Sequence, residues 1–501
     1  MGESVEDEKE LGQSSAVKAP VDDQGGSEKV TRMGTAPIGK LMLEFAIPAV
    51  VSVVFNALYN VIDSIFLGQA MGEIGLAATT VAAPIMTIGM ALSILPGMGG
   101  NSLAAILLGE GRKADAERAL GNAITVMIAI SIFIAIVATF WIDPLLIFVG
   151  ATDVTLPYAR TFVRIILYGT IITNISYGIN NFIRTAGAPS LALWTTIIGT
   201  IACIVLNYLF VMRFEWGVVG SASATIIGQA VTAVIVLWYF VSPKSSAPFK
   251  LRLSNLLVDN EICRRLLALG LAPFALQIAA AITQVVGNIV LAALGAADPI
   301  GQDDTLASIG VVFKITSLII FPGIGIAMAA QPILGYNTGA RKYDRVLRTL
   351  YDALGACTVM MVIFFVLIRV FPEVIISLFG VDPSLMSYAS EALLIQTALI
   401  PFISIQVIGS NYFQATGQPF KSALLSVTRQ IIFQLPLYLI APHLLSALFP
   451  SITPLLAFSY SFPIADTMSI VLCGSFVLVE IRNLHRKIAE QKSVEEETIA
   501  S

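Results

Sequence analysis

The chain is 501 residues long, 56% hydrophobic and only 12% charged, with a formal net charge of −4. A soluble domain carries about twice that charged fraction, so a large soluble α-protein is excluded, and the absence of a long basic block argues against a nucleic-acid partner. The four cysteines, Cys203, Cys263, Cys357 and Cys473, are scattered without CxxC spacing and read as small apolar side chains, with no metal or disulfide framework.

Residues 1–36 are rich in Glu, Asp, Ser, Gly and Gln and lack an apolar period, which predicts a disordered cytoplasmic tail. No signal peptide is expected, so the first span directs insertion. Apolar runs long enough to cross roughly 30 Å of hydrocarbon are predicted at 41–67, 78–108, 119–142, 160–186, 190–212 and 217–241. A hydrophilic linker over 242–262 follows. Six more runs lie at 263–294, 305–335, 347–370, 388–416, 420–448 and 454–481, and residues 488–501 form a second tail. The expected organisation is therefore a first lobe over 37–241 and a second over 263–487.

Basic residues set the orientation. Arg112, Lys113, Arg118, Arg184, Lys244, Lys250, Arg264, Arg341, Lys342, Arg345, Lys421 and Arg486 all fall on one side when the N-terminus is placed inside. Arg160, Arg213 and Arg369 stand at the margins of the other side. Both termini are thus expected in the cytoplasm.

The chain is also one unit written twice. Pro48, Asp63 and Pro96 are echoed by Pro273, Asn288 and Pro322, and Gly109-Glu110-Gly111-Arg112-Lys113 by Gly339-Ala340-Arg341-Lys342. The Ala186-Gly187-Ala188-Pro189 turn returns as Thr416-Gly417-Gln418-Pro419, at a spacing of about 225–230 residues. Six spans per copy make the copies parallel, related by an axis along the membrane normal, with a cleft between them. The fold class is an all-α polytopic membrane protein with twelve transmembrane helices in two six-helix lobes.

Several of these landmarks resemble a known family. Asp63-Ser64-Ile65-Phe66-Leu67-Gly68, then Gly75-Leu76-Ala77-Ala78 and Pro84, is similar to the first loop of the multidrug and toxic compound extrusion (MATE) transporters. Gln331-Pro332-Ile333-Leu334-Gly335-Tyr336-Asn337, Arg429-Gln430 and Pro463-Ile464-Ala465-Asp466 resemble the MepA-like branch. The resemblance covers roughly residues 35–487 and implies ion-driven export of amphipathic, often cationic, compounds.

Asp63 is the first candidate for chemistry. It stands about 22 Å along a helix from Pro48, where an ionisable group is costly and should face a cavity and a partner; capping of the helix end near Gly68 is the other reading. The resemblance implies that the matching acid takes part in cation coupling. Where the family pattern often has Asn and then Asp four residues on, this chain has Cys203 and Asn207. Asn207 can hydrogen-bond a cation or Asp63, but it does not titrate. Acidic positions that some relatives use in the second lobe fall near Ala280, Ala281 and Ile405, so a sodium site of that type is not expected there.

Asp466, deep in the last span, is the other acid; Arg429, at a depth that differs by some 10 Å on residue counting, is expected to neutralise it directly or through water, and a purely structural pair is the other reading. The cation-coupling set is thus Asp63, Asn207 and Asp466. The substrate cavity is assigned to Tyr59, Tyr177, Asn181, Gln284, Asn288, Gln406, Asn411 and Arg429. Glycines at 97, 99, 100, 323 and 325 are expected to let helices pack closely.

No GxxxxGK[ST] loop, HExxH or Ser-His-Asp set is present, so no enzyme and no cofactor beyond a coupling ion, H+ or Na+, is expected. The expected partners are small organic cations, the coupling ion and the lipid bilayer of the cell membrane, with the chain a monomer. A flippase-like exporter of lipid-linked or polar metabolites, a non-transporting receptor or scaffold, and a channel stand as alternatives.

Overall fold

The computed structural model describes residues 24–149, 151–379 and 385–500, all of them helix, turn or loop. A short helix, α1 (Gln24–Met33), precedes α2 (Ile38–Gly109), which holds the first two spans in one run. That run breaks at Gly72, whose φ of 61° and ψ of −143° suit a residue without a Cβ. Next come α3 (Lys113–Phe140), α4 (Ile142–Val149), α5 (Leu156–Tyr168), α6 (Thr170–Thr185), α7 (Pro189–Asn207) and α8 (Gly217–Val241). The second half comprises α9 (Asn260–Ala296), α10 (Gln302–Gly339), α11 (Tyr343–Val370), α12 (Pro372–Ser377), α13 (Met386–Gln396), α14 (Ile400–Ala415), α15 (Pro419–Val427), α16 (Leu435–Leu448) and α17 (Pro454–Ala500).

Ten helices among the described residues are long and apolar enough to cross a membrane. Two bent pairs, α5 with α6 at 53° and α13 with α14 at 49°, raise the number to twelve when each is one span. These are the fourth and tenth spans, so the bend itself repeats. The fifth and eleventh spans each carry a π-helical turn, Tyr208–Arg213 and Thr428–Gln434. Such turns re-aim the side chains around them.

The hydrophilic linker is not loose. Asp259 caps α9 by accepting from the backbone N–H groups of Glu261 and Ile262. Asn122 on α3 donates to the carbonyls of Asn255 and Leu257 and accepts from the backbone N–H of Asp259. The linker is thereby stapled to the first lobe.

One expectation fails. Residues 24–36, placed by the sequence in a disordered tail, are ordered, and residues 1–23 lie outside the described residues. Among the described side chains of α1 Val30 and Met33 are the buried ones, a pair too few to announce the helix as an apolar period. Its order comes from donors some 300 positions away. Asn337 Nδ2 and Arg345 Nη2 both bond the Met33 carbonyl, at 2.9 and 3.0 Å, and Lys342 Nζ bonds that of Gly34 at 2.8 Å. At its other end Lys29 packs its backbone on Gly187 and bonds Ser246, so α1 lies across both lobes.

The lobes are sealed at the end that carries the basic loops. A Cβ added to Gly109 falls 1.9 Å from the Tyr336 carbonyl oxygen, and one on Gly339 falls 2.0 Å from that of Ile106. Since 336 is 106 plus 230 and 339 is 109 plus 230, the contact is reciprocal about the repeat axis, as in a two-fold dimer interface. Asn101 and its repeat mate Gln331 meet there through a 3.1 Å hydrogen bond, Gln331 donates to Ser102 at 2.8 Å, and Thr185 donates to Asn101. All four side chains are buried. The close glycine packing read from the sequence is present: Gly99 abuts Leu266 and Gly270, and Gly325 abuts Val50.

The start of α2 belongs by packing to the second half. Ile38, Leu41, Met42, Phe45 and Ala49 join the core built from α10, α11, α13, α14 and α17. The same helix reaches Asp63 in the first lobe, so it spans from one lobe to the other.

Candidate functional site

Three helices of the first lobe converge on Asp63. Asn207, at the C-terminus of α7, donates its Nδ2 hydrogen to Asp63 Oδ1 at 2.5 Å, and Ser221, one turn into α8, donates to the same oxygen at 2.7 Å. Asn207 and Ser221 are 1% and 0% exposed, while Asp63 itself is half-buried. Two donors on one carboxylate oxygen stabilise its anionic form and hold it in place. The amide oxygen of Asn207, Oδ1, is buried without a partner. This arrangement is one half-buried acid fixed by neutral groups, with Cys203 one turn along α7. It suits reversible loading by a cation or proton, and it offers no second carboxylate.

Two turns deeper along α2 lies a second polar station. Tyr177 Oη on α6 donates to Asn56 at 2.9 Å and accepts from Gln229 Nε2 at 3.3 Å, and Ser176 donates to Gln229 at 2.7 Å. From there Asn181 donates to the Tyr177 carbonyl, and Arg184 Nη1 donates to Asn181 at 2.6 Å. A line of polar side chains thus runs from Asp63 toward the basic end of the lobe.

The second lobe is built differently at the equivalent places. Asp466 stands twelve residues into α17, as Gln229 stands twelve into α8. Its Oδ1 accepts from Arg429 Nε at 2.6 Å, a direct pair, and its Oδ2 is buried without a partner. The depth difference of some 10 Å inferred from residue counting therefore does not hold. Arg429 sits in the π-helical turn and the helices are not straight rods. Gln284 and Asn288 lie exposed on α9, whereas Gln406 is buried in α14 and Asn411 keeps a buried, unpartnered Oδ1. No hydrogen bond among the described residues joins these four to Asp63 or Asp466. The side chain of Tyr59 lies outside the described residues.

The sequence profile of the MatE family matches residues 48–209 and again residues 278–440, one match in each half. The chain belongs to the MatE family. It is a multi-pass membrane transporter, and the relatives below are transporters rather than enzymes. "Multidrug export protein MepA" of Staphylococcus aureus (strain N315) is 21% identical over 397 residues, covering 79% of this chain and 86% of that protein. The protein of the same name from Staphylococcus haemolyticus (strain JCSC1435) is 21% identical over 446 residues, covering 89% and 94%. Among solved structures, the MATE multidrug transporter DinF-BH, solved as a ligand complex, is 33% identical, with a TM-score of 0.81 over 90% of this chain and 97% of that one. A MOP superfamily transporter from Pyrococcus furiosus, 21% identical with a TM-score of 0.83 over 91% and 98%, shares the fold.

Within this MatE chain the sequence reading brought Asp63 and Asn207 together correctly and missed Ser221, Asn56 and Gln229. Spacing offered a signal: Asn56 stands seven residues before Asp63, on the same helix face, and Gln229 eight after Ser221. Arg164, inside the fourth span, was passed over as well, and its Nε is buried without a partner among the described residues.

The Arg429–Asp466 pair has a checkable consequence. Removing one partner of a buried pair leaves an uncompensated charge, whereas removing both is far milder. Arg429→Leu alone is expected to destabilise the protein by about 3–5 kcal/mol, and Arg429→Leu with Asp466→Leu to regain most of that. Thermal unfolding in detergent measures both; equal losses in the single and double variants would show that the pair is not structural.

Proposed function

We propose that this MATE protein is a secondary antiporter that exports amphipathic organic cations from the cytoplasm in exchange for a monovalent cation, H+ or Na+, loaded at Asp63. The observation that carries the reading is the half-buried Asp63 carboxylate held by the neutral side chains of Asn207 and Ser221. The multidrug export named for the MepA relatives, and the multidrug transporter DinF-BH with its bound ligand, support the substrate class. The basic loops support placing the sealed end, and both termini, at the cytoplasmic side.

Coupling follows from α2. Ala49, packed in the second-lobe core, and Asp63 are fourteen residues apart on that helix, about 21 Å. A change of charge at one end therefore acts on a rigid element whose other end forms part of the contact between lobes. Loading Asp63 has to favour one arrangement of the lobes by about 1.4 kcal/mol for each tenfold change in their ratio.

Reconstituted vesicles loaded with a cationic dye and given either a pH or a sodium gradient test this reading. Saturable dye efflux is expected with one of the two gradients and none without either. Dye that moves equally well with no gradient, or under neither, overturns it.

A further inference from the structure

At the end of the first lobe remote from the basic loops lies a recess of about 840 Å³. Its walls come from the end of the first span (Gln69, Met71), from α5 (Tyr158, Thr161) and from the loop leading into α8 (Glu215, Trp216). No described residue of the second lobe lines it, so it is separate from the cleft between the lobes.

Two residues of the recess lining, Val211 and Val218, stand about one helical turn from Asn207 and Ser221, the two side chains that bond Asp63. Leu67 is four residues beyond Asp63, Val211 four beyond Asn207, and Val218 three before Ser221, each about one turn along the helix that carries the polar group. All three are buried, at 0%, 1% and 4% exposure. Val211 and Val218 line the recess, and Leu67 shares an apolar core with Val218; these three make up the apolar collar on the Asp63 side of the recess.

The mouth is acidic. Among the described residues of the lining Glu215 alone is charged, and its backbone sits in the left-handed region at φ 58°. The loop is pinned by aromatic stacking, with the Trp216 ring 4.9 Å from Phe210 and the Trp216 N–H bonded to the Phe210 carbonyl. Among the basic residues of this end, Arg160 is paired with Asp143 at 2.6 Å, and neither Arg164 nor Arg213 lines the recess. An uncompensated acid at the mouth of a low-dielectric recess concentrates small cations.

We propose that this recess is the coupling ion's own entrance to Asp63. A hydrated monovalent cation, hydronium or sodium, collects at Glu215 and crosses the Leu67–Val211–Val218 collar, while the organic substrate moves through the cleft between the lobes. The inference rests on the reading of Asp63 as the coupling group. It separates the two routes, so that a bulky substrate leaving the cleft does not block the ion that drives it.

Thiol labelling tests the entrance in the full chain. The native cysteines are all buried, and the Thr161 hydroxyl bonds only its own helix, to the Pro157 carbonyl. Thr161→Cys is labelled from outside with a bulky cationic methanethiosulfonate, and dye efflux under the driving gradient is compared before and after, beside equilibrium dye binding. Labelling is expected to cut driven efflux at least tenfold and leave dye binding unchanged. Glu215→Gln is expected to raise the half-saturating concentration of the driving ion about threefold or more, in the proton arm, the sodium arm or both. A Thr161→Cys variant that does not label in the folded protein, or that labels without loss of driven efflux, overturns the entrance. Asp63→Asn, run in parallel, separates the failures: if it alone abolishes driven efflux, only the entrance falls, and if it leaves efflux intact, the coupling assignment falls too.

Discussion

Replacing Asp63 by Asn is expected to abolish gradient-driven efflux, by about tenfold or more, while leaving the protein folded and able to bind its organic substrate. The substitution is close to isosteric, and the site is prepared for it. Asp63 Oδ1 accepts from Asn207 and Ser221, and an amide oxygen in that place accepts the same two hydrogens. The new NH2 group is expected to donate to Asn207 Oδ1, which is buried and has no partner in the parent. A lost anion is therefore replaced by a satisfied amide, and the usual cost of an unpaired buried polar group, about 1–3 kcal/mol, is avoided.

What disappears is the ability to change charge. An ion that binds both arrangements of the lobes equally shifts nothing, however tightly it binds. The measurements are dye efflux under each gradient, dye binding at equilibrium, and thermal unfolding. Full efflux by Asp63→Asn would dismiss Asp63 as the coupling group, and a collapse of dye binding would place Asp63 in the substrate site instead.

Much of this site was legible because an acid in an apolar run is conspicuous and because its partner Asn207 occupies a place the family pattern marks. Ser221 was not, since a serine in a Gly-Ser-Ala-Ser-Ala run reads equally well as small-residue packing. The fold shows the same division. Hydropathy and the 230-residue repeat expose the spans and the two lobes, which are local or periodic features. They do not expose α1, whose order depends on Asn337, Lys342 and Arg345 of the other lobe. Nor do they show that the start of α2 packs with the second half, because an all-apolar helix has no polar face to tell which neighbour it meets. The Asn101–Gln331 contact, by contrast, was available in principle: two polar residues one repeat apart, inside spans, meet on the axis.

The seal at the basic end supplies the second large effect. Gly109→Val and Gly339→Val are each expected to drive the lobes apart at that end, shifting the conformational balance by about ten- to a hundredfold, or about 1.4–2.8 kcal/mol. The Cβ of either variant meets a backbone carbonyl, at 1.9 Å from Tyr336 O or 2.0 Å from Ile106 O, and backbone atoms in helices have no room to give. Opening the seal relieves the clash in either variant, at the expense of the Asn101–Gln331 and Gln331–Ser102 hydrogen bonds. Because the contact is reciprocal about the repeat axis, the two variants should behave alike, although they lie in different lobes. Spin labels at Lys113 and Asp344, both exposed at the basic end, report the separation directly. A longer inter-label distance is expected for both glycine variants, together with loss of vectorial efflux, because a transporter open on one side does not complete its cycle. Gly355→Ala is the matched control, since a Cβ there meets nothing within 4 Å. If the distance stays at the parental value in both variants, the glycine contacts do not hold the lobes closed, and the buried Asn101–Gln331–Ser102 hydrogen bonds become the element that does.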